Sequence, residues 1–238
     1  MQFHLLSNPG ERDHNEDYAG IIERDGRTLF ILADGLGGHG KGEVASQSVV
    51  NSIIRYYQEA VELPDLKDCI EYAQQQLMEI QQKERMTSGM KTTIVILEVD
   101  KERARWAHVG DSRLYMFRHN KVETRTLDHS VPQMLVAAGQ IKEKDIRFHE
   151  DRNRLLRVMG IEWDKPLYEL TSWNMIKSGD AFLLCSDGFW EWLPEKKMEK
   201  ALKKGSSPRE WVELMEFDLC NEGKGKDMDN YSAIAVWI

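Results

Sequence analysis

Three aspartates in this chain share one local setting. Phe30-Ile31-Leu32-Ala33 runs into Asp34-Gly35, Trp106-Ala107-His108-Val109 into Gly110-Asp111-Ser112, and Phe182-Leu183-Leu184-Cys185 into Ser186-Asp187-Gly188. Asn15-Glu16-Asp17 and Asp229-Asn230 add carboxylates just ahead of two further apolar runs. A single Asp-Gly pair is an ordinary turn signal, because glycine accepts positive φ and aspartate bonds the nearby backbone. If the five segments converge, the balance changes. Two carboxylates about 4 Å apart repel by roughly 4 kcal/mol at an effective dielectric near 20, so a shared site requires cations. Hard oxygen donors suit Mg²⁺ or Mn²⁺, and the chain lacks the paired Cys and His spacing of a zinc cage. A divalent ion so held can lower the pKa of water from 15.7 to about 7 and supply a nucleophile near neutral pH.

These aspartates need strands to carry them. Apolar runs at Phe3 to Leu6, Tyr18 to Ile22 and Thr28 to Ala33 read as strands, the last two forming a hairpin around Asp25-Gly26. Helical spacing of apolar residues covers Glu43 to Val61 and, after Pro64, Leu66 to Arg85. Strand-like runs follow at Thr92 to Val99, Arg105 to Val109, Arg113 to Arg118 and Val122 to Leu127, and their close succession predicts an antiparallel meander. A helix is expected over Val131 to Ala138, stopping at Gly139, and Gln140 to Gly160 reads as a mobile excursion. Strands at Tyr168 to Ser172 and Ala181 to Cys185, helices at Glu195 to Lys203 and Pro208 to Asn221, and a closing strand at Tyr231 to Ile238 complete an α+β sandwich.

The 238 residues carry 41% hydrophobic and 30% charged side chains, which suits one folded domain spanning 1–238. A net charge of −8 argues against nucleic-acid or anionic-membrane binding, which relies on clustered Lys and Arg. No membrane-length apolar stretch or basic leader is present, so a cytoplasmic location is expected. Cys69, Cys185 and Cys220 fit neither a disulfide framework nor a zinc motif and read as buried free thiols.

Taken in order, Arg12-Asp13-His14-Asn15-Glu16-Asp17, Ala33-Asp34-Gly35-Leu36-Gly37-Gly38-His39 with Gly42-Glu43-Val44-Ala45-Ser46, Thr92-Thr93, Val109-Gly110-Asp111-Ser112-Arg113, Asp128-His129-Ser130, Ser186-Asp187-Gly188 and Asp229-Asn230 resemble the metal-dependent PP2C (PPM) protein phosphatases, especially their compact bacterial members. The resemblance spans nearly the whole chain. It implies two packed antiparallel sheets with helices on both outer faces, and hydrolysis of phosphoserine and phosphothreonine on proteins by a metal-activated water. It also implies two Mn²⁺ or Mg²⁺ ions bridged by Asp34, with Glu16 and the Gly35 carbonyl on one side and Asp187 and Asp229 on the other. Asp17 would orient water, Arg12 would grip the substrate phosphate, and Asp111 with Asp187 would form a third metal site. The residues near 140–160 resemble the family's variable flap, which makes Arg147, Arg152 and Arg154 candidate substrate contacts beside the plainer reading of solvated charge. Relatives of this size usually oppose a serine/threonine kinase and act as monomers.

Two positions depart from the family pattern. Leu36 stands where eukaryotic relatives often carry a histidine proposed as general acid, so bound water, His39 and His129 remain as proton donors. Lys91 replaces the glycine that bacterial relatives usually place before the two threonines. Two other functions compete. Gly35-Leu36-Gly37-Gly38-His39-Gly40-Lys41 satisfies most of a P-loop pattern, but Gly42 replaces the Ser or Thr that would hold Mg²⁺. A phosphoprotein-binding module without catalysis would have lost ligands, whereas Asp34, Asp187 and Asp229 are all present. Trp190, Trp192 and Cys185 read as packing, and the Glu-Lys mixture of 195–204 as a solvated helix face.

Overall fold

The protein is described by a computed structural model covering residues 1–37, 41–83 and 89–238. In chain order the elements are β1 (Gln2–Asn8), β2 (Asp17–Arg24), β3 (Arg27–Leu36), α1 (Lys41–Glu59), α2 (Leu66–Lys83), β4 (Lys91–Thr92), β5 (Ile94–Asp100), β6 (Arg103–Val109), β7 (Arg113–Arg118), β8 (Lys121–Arg125), α3 (Val131–Ala137), β9 (Glu169–Leu170), β10 (Asn174–Met175), β11 (Ala181–Cys185), α4 (Asp187–Trp190), α5 (Glu195–Lys204), α6 (Pro208–Gly223) and β12 (Tyr231–Trp237). Two antiparallel sheets result. One has the order β1-β12-β11-β7-β8; the other has β10-β6-β5-β3-β2, with β4 added to β3 and β9 to β6.

The period of two along a strand explains the layers. On β3, Phe30 and Leu32 point between the sheets and meet Phe182 and Leu184 of β11, while Leu29, Ile31 and Ala33 face α1 and α2. On β11 the alternate residues Ala181, Leu183 and Cys185 face Trp190, Trp211 and Met215 of the helices on the other side. Both strands are therefore buried on both faces, which is why their sequences are continuously apolar. The helix-sheet-sheet-helix arrangement expected from the resemblance is present, and the fold is α+β.

The meander expectation needs correction. β5 pairs with β6 and β7 with β8, but β6 and β7 lie in different sheets. Between them Gly110, at φ +104, lets the chain cross from one layer to the other. The run expected at Thr92 to Val99 is two strands, because Thr92 pairs with β3 beside Gly35 whereas Ile94 opens the pairing with β6. Lys91 pairs with Leu36 and continues that edge. Residues 140–160 are more structured than a loose excursion. They hold a 3-10 helix at Glu143–Phe148 and are tied back by bridges Ser130 to Leu155 and Thr92 to Met159. The strand expected at Tyr168 to Ser172 contracts to Glu169–Leu170, and β10 had no alternating pattern to announce it. Among the described residues no helix is long and apolar enough to cross a membrane.

Candidate metal centre and active site

The two sheets present their acidic residues at one end. Asp17 and Asp34 are direct cross-strand partners on β2 and β3, a geometry that brings their Cβ atoms to about 5 Å. Asp34 follows Phe30 and Leu32 in the period-two row facing the other sheet, so it emerges where the inter-sheet layer opens. It lies inside β3, which runs on to Leu36, and not at a strand end as the sequence suggested. From the opposite sheet, Asp187 begins α4 directly after β11 and Asp229 precedes β12. The pairing of Cys185 with both Arg113 and Ala233 places the start of β7, hence the Gly110-Asp111-Ser112 crossing, at this same end. Asp17 and Asp111 are buried, while Glu16, Asp34, Asp187 and Asp229 are half-buried around them.

The electrostatics register the crowding. Burial, then the charges of Asp187, Asp17, Asp111 and Asp229, holds the Asp34 carboxyl well above the usual carboxylate range. Burial likewise pushes Asp17 up to about 7 against a hydrogen bond from Ser186. Asp187 rises to about 6 through burial and Asp229, although it shares a hydrogen bond with the Asp34 side chain. Asp111 is raised by burial and then Asp187, and Glu16 by burial and then Asp229. The Asp17 Oδ1 atom is buried and has no hydrogen-bond partner among the described residues. A cluster of oxygen donors that resist carrying charge together, one with an unused lone pair, fits Mg²⁺ or Mn²⁺.

The supporting contacts are specific. The Asp34 backbone is gripped from both sides: its N–H donates to Thr93 Oγ1 (3.1 Å), and its carbonyl accepts from the Thr93 N–H (2.8 Å) and Thr92 Oγ1 (2.7 Å). Gly35 has no room for a side chain, since a Cβ there would sit 2.2 Å from the Gly42 carbonyl oxygen. Its N–H donates to the Glu16 carbonyl at 3.0 Å. The Gly42 N–H, at the start of α1, donates to the Gly37 carbonyl at 3.3 Å and, lying beside the Glu16 carboxylate, lowers its pKa against the burial. A carboxylate of this chain thus uses the helix end that the P-loop reading reserved for a nucleotide, and the sheet beneath is antiparallel.

Arg12 is the sharpest difference from expectation. Its Nε and one terminal nitrogen donate to the two oxygens of Asp229, each at 3.2 Å, and its other terminal nitrogen lies 3.2 Å from Asp227. The group expected to hold phosphate is bonded to a group expected to hold metal. Of the flap arginines, Arg147 is buried and donates to Glu195 at 2.6 Å, and Arg154 pairs with Asp151 at 3.2 Å. Arg152 alone of the three reaches the acidic end, 3.1 Å from Glu191.

Several residues were missed or undervalued in the sequence. The Asn230 side chain accepts from the Glu16 N–H (2.8 Å) and donates to the carbonyls of Pro9 and His14 (both 2.9 Å). Ser186 Oγ donates to Asp17 Oδ2 at 2.7 Å and accepts the Ser232 N–H at 2.9 Å. Glu191 is pushed up to about 7 by burial and Asp187; its position four residues after Asp187, at helical spacing, was the available signal. Trp190, expected as packing, lies against the Arg113 guanidinium at 3.4 Å and donates to the Asp111 carbonyl at 3.0 Å. The thiols of Cys185 and Cys69 are buried and their pKa values raised, as core residues require, whereas Cys220, expected to be buried, is exposed on α6.

His39 falls outside the described residues. His129 stacks on His108 with ring centres 4.5 Å apart, and burial with His108 and Arg157 pushes its pKa down to about 4. Its Nδ1 accepts the Gly110 N–H, which puts the ring proton on Nε2 facing Glu169 at 3.2 Å. His108, His129 and Glu169 could offer donor atoms within 4.8 Å of one another. Arg157, 3.2 Å from His129 and 3.3 Å from Glu169, already supplies the positive charge there.

The chain is similar to known proteins over most of its length. Residues 7–216 match the family model described as protein phosphatase 2C. The chain is 33% identical over 212 residues to the serine/threonine phosphatase stp of Listeria welshimeri serovar 6b, covering 85% of this chain and 83% of that protein. The solved Streptococcus agalactiae serine/threonine phosphatase superposes with a TM-score of 0.85 at 27% identity, over 100% of this chain and 99% of that one. The catalytic domain of the serine/threonine phosphatase PstP, solved with 2 manganese ions, superposes at 0.81 with 26% identity, over 98% and 96%.

Proposed function

This chain belongs to the protein phosphatase 2C family, and we propose that it hydrolyses phosphoserine and phosphothreonine on proteins with Asp34, Glu16, the Gly35 carbonyl, Asp187 and Asp229 holding two divalent cations. It is a metal-dependent serine/threonine phosphatase. The observation that carries the residue assignment is the meeting of acidic side chains from both sheets at one end of the sandwich, where burial and mutual repulsion raise their pKa values. Bound there, Mn²⁺ or Mg²⁺ supplies an activated water and neutralises phosphate charge. Asp111 with Asp187 is our candidate for a third cation.

The chain's own groups do the rest. Asp17, fixed through Oδ2 by Ser186, presents its free Oδ1 as an acceptor that orients the attacking water and takes up its proton. Arg12 offers a planar pair of N–H donors matched to two phosphate oxygens. Its present grip on Asp229 must open for that role. His129 is held neutral and its proton faces Glu169, which leaves water and His39 as sources of the leaving-group proton. We take residues 1–238 as one phosphatase domain with a flap near 140–160, cytoplasmic and monomeric, opposing a serine/threonine kinase.

The test is hydrolysis of a phosphothreonine peptide in Mn²⁺ and in Mg²⁺ by wild type and Asp34→Asn. The substitution should reduce kcat at least about 100-fold, by loss of one carboxylate charge among the groups that would hold the cations. Equal rates, or turnover that survives strong chelation, would overturn the assignment.

A further inference from the structure

Against a chain of net charge −8, one groove gathers four lysines around a single acid. About 490 Å³ in volume, it lies between the β7–β8 turn and the outer face of α5, with His119, Lys121, Lys196, Lys200 and Lys203 on its walls. Glu199 is the single acid among the described residues lining it. That carboxylate is already committed, to Lys121 Nζ at 2.6 Å and to the Val122 N–H at 3.2 Å. Lys196, Lys200 and Lys203 are exposed and stand at i, i+4 and i+7, one stripe along the helix.

Helix stability accounts for the arrangement only in part, because Glu199, three residues after Lys196 and four before Lys203, offsets some of the repulsion. Lys196 sits in the first turn of α5, where the helix dipole disfavours a cation, and the lysine pairs at i,i+4 and i,i+3 repel one another. The dipole accounts for Lys203 in the last turn, but not for Lys196 or Lys200. Position adds a second point. β7 starts beside the acidic end and its six residues carry the chain roughly 20 Å to the groove. The groove is thus remote from the phosphate-binding end while lying on the same sheet.

We propose that this groove docks an acidic segment, a run of Asp or Glu, of the phosphoprotein substrate. The proposal rests on the phosphatase reading. An extended peptide covers at most about 3.6 Å per residue, so the acidic run must lie at least about six residues from the phosphorylated one.

The experiment compares two phosphothreonine peptides, one carrying four glutamates and the other four glutamines, ten residues from the phosphothreonine. Wild type and a Lys196→Glu/Lys200→Glu variant are assayed at low and physiological salt, with p-nitrophenyl phosphate as a substrate too small to reach the groove. Binding of the unphosphorylated acidic peptide is followed in parallel by fluorescence anisotropy. For wild type the glutamate peptide should show a KM about tenfold lower at low salt, shrinking as salt rises. The variant should lose that preference and the anisotropy signal, with kcat and p-nitrophenyl phosphate turnover unchanged. Equal KM values for the two peptides in wild type, or a preference that survives in the variant, would overturn docking. So would lysine-dependent binding to phosphatidylserine vesicles without any peptide preference, which would make the groove a membrane contact. Absent p-nitrophenyl phosphate turnover would instead count against the phosphatase reading, leaving the anisotropy to judge the groove by itself.

Discussion

Asp17 shows how one hydroxyl can decide what a buried carboxylate does. Desolvation and the nearby Asp187 and Asp229 charges favour its protonated form, and the Ser186 hydrogen bond favours the ionised one. Ser186 is in turn held by the Ser232 N–H, so the donor faces Asp17 and not solvent. Ser186 is therefore a positioning residue. In Ser186→Ala, Asp17 should become harder to ionise, because a hydrogen bond to a charged group is worth about 1.5–3 kcal/mol. The expected result is a kcat about tenfold lower at pH 7, with KM for a phosphopeptide unchanged and the acidic limb of the pH–rate profile displaced to higher pH. A parallel loss at every pH, with no displacement, would indicate a purely structural role.

At the level of elements, the site depends on connections between strands more than on the strands themselves. The segment between β1 and β2 carries Arg12 and Glu16 but has no ladder of its own, and Asn230 holds it by three side-chain hydrogen bonds from the start of β12. Asn230→Ala should destabilise the protein by about 2–3 kcal/mol, since two carbonyls and an N–H lose partners. It should also weaken metal binding, because Glu16 loses its anchor. Denaturant unfolding and calorimetric Mn²⁺ titration measure the two effects, and unchanged metal affinity would show that the Gly35 and Ser46 bonds to the Glu16 carbonyl suffice to fix it. The β6–β7 crossing behaves similarly. Arg113 immediately after it is buried and bonds both oxygens of Asp128 at 2.7 Å. Asp128→Ala would strand that guanidinium, so a loss of about 3–5 kcal/mol is expected in the same unfolding assay.

For the whole molecule, the acidic end sets how stability responds to pH and metal. Folding raises Asp17 from 3.8 to about 7 and Asp187 from 3.8 to about 6. Between pH 4 and 7 these carboxyls therefore hold protons that the unfolded chain has lost, and they make stability fall as pH rises, opposed below about pH 6.5 by the fewer buried imidazoles, His108 and His129, which folding keeps neutral. The carboxylates that folding shifts downward, such as Asp100 beside Arg103 and Asp180 beside Arg118, lose their contribution only below about pH 4, outside that window. Chelator-treated protein should melt at a lower temperature at pH 7.5 than at pH 5.5. Mn²⁺ at about 100 times its Kd at pH 5.5 should add about 2.7 kcal/mol there, a rise of roughly 5–10 °C for a chain of this size, and the same concentration should add more at pH 7.5, where protons no longer compete. Thermal-shift measurements at both pH values check this, and an equal or larger metal effect at pH 5.5 would contradict it.

The residues themselves determined much of this protein. Short continuous apolar runs at Phe30 to Ala33 and Phe182 to Cys185 read as strands, and helical periodicity located α1, α2, α5 and α6 within a few residues. The order of acidic segments specified the family. Tertiary structure decided what each polar group faces. That Arg12 bonds Asp229, that Arg147 is buried against Glu195 and that Ser186 bonds Asp17 are contacts between residues far apart in the chain. Local pattern carries no distance between such residues. Likewise, β6 and β7 read as neighbours in sequence and lie in different sheets, because the choice between pairing and crossing is made by the packing of the two layers around Gly110.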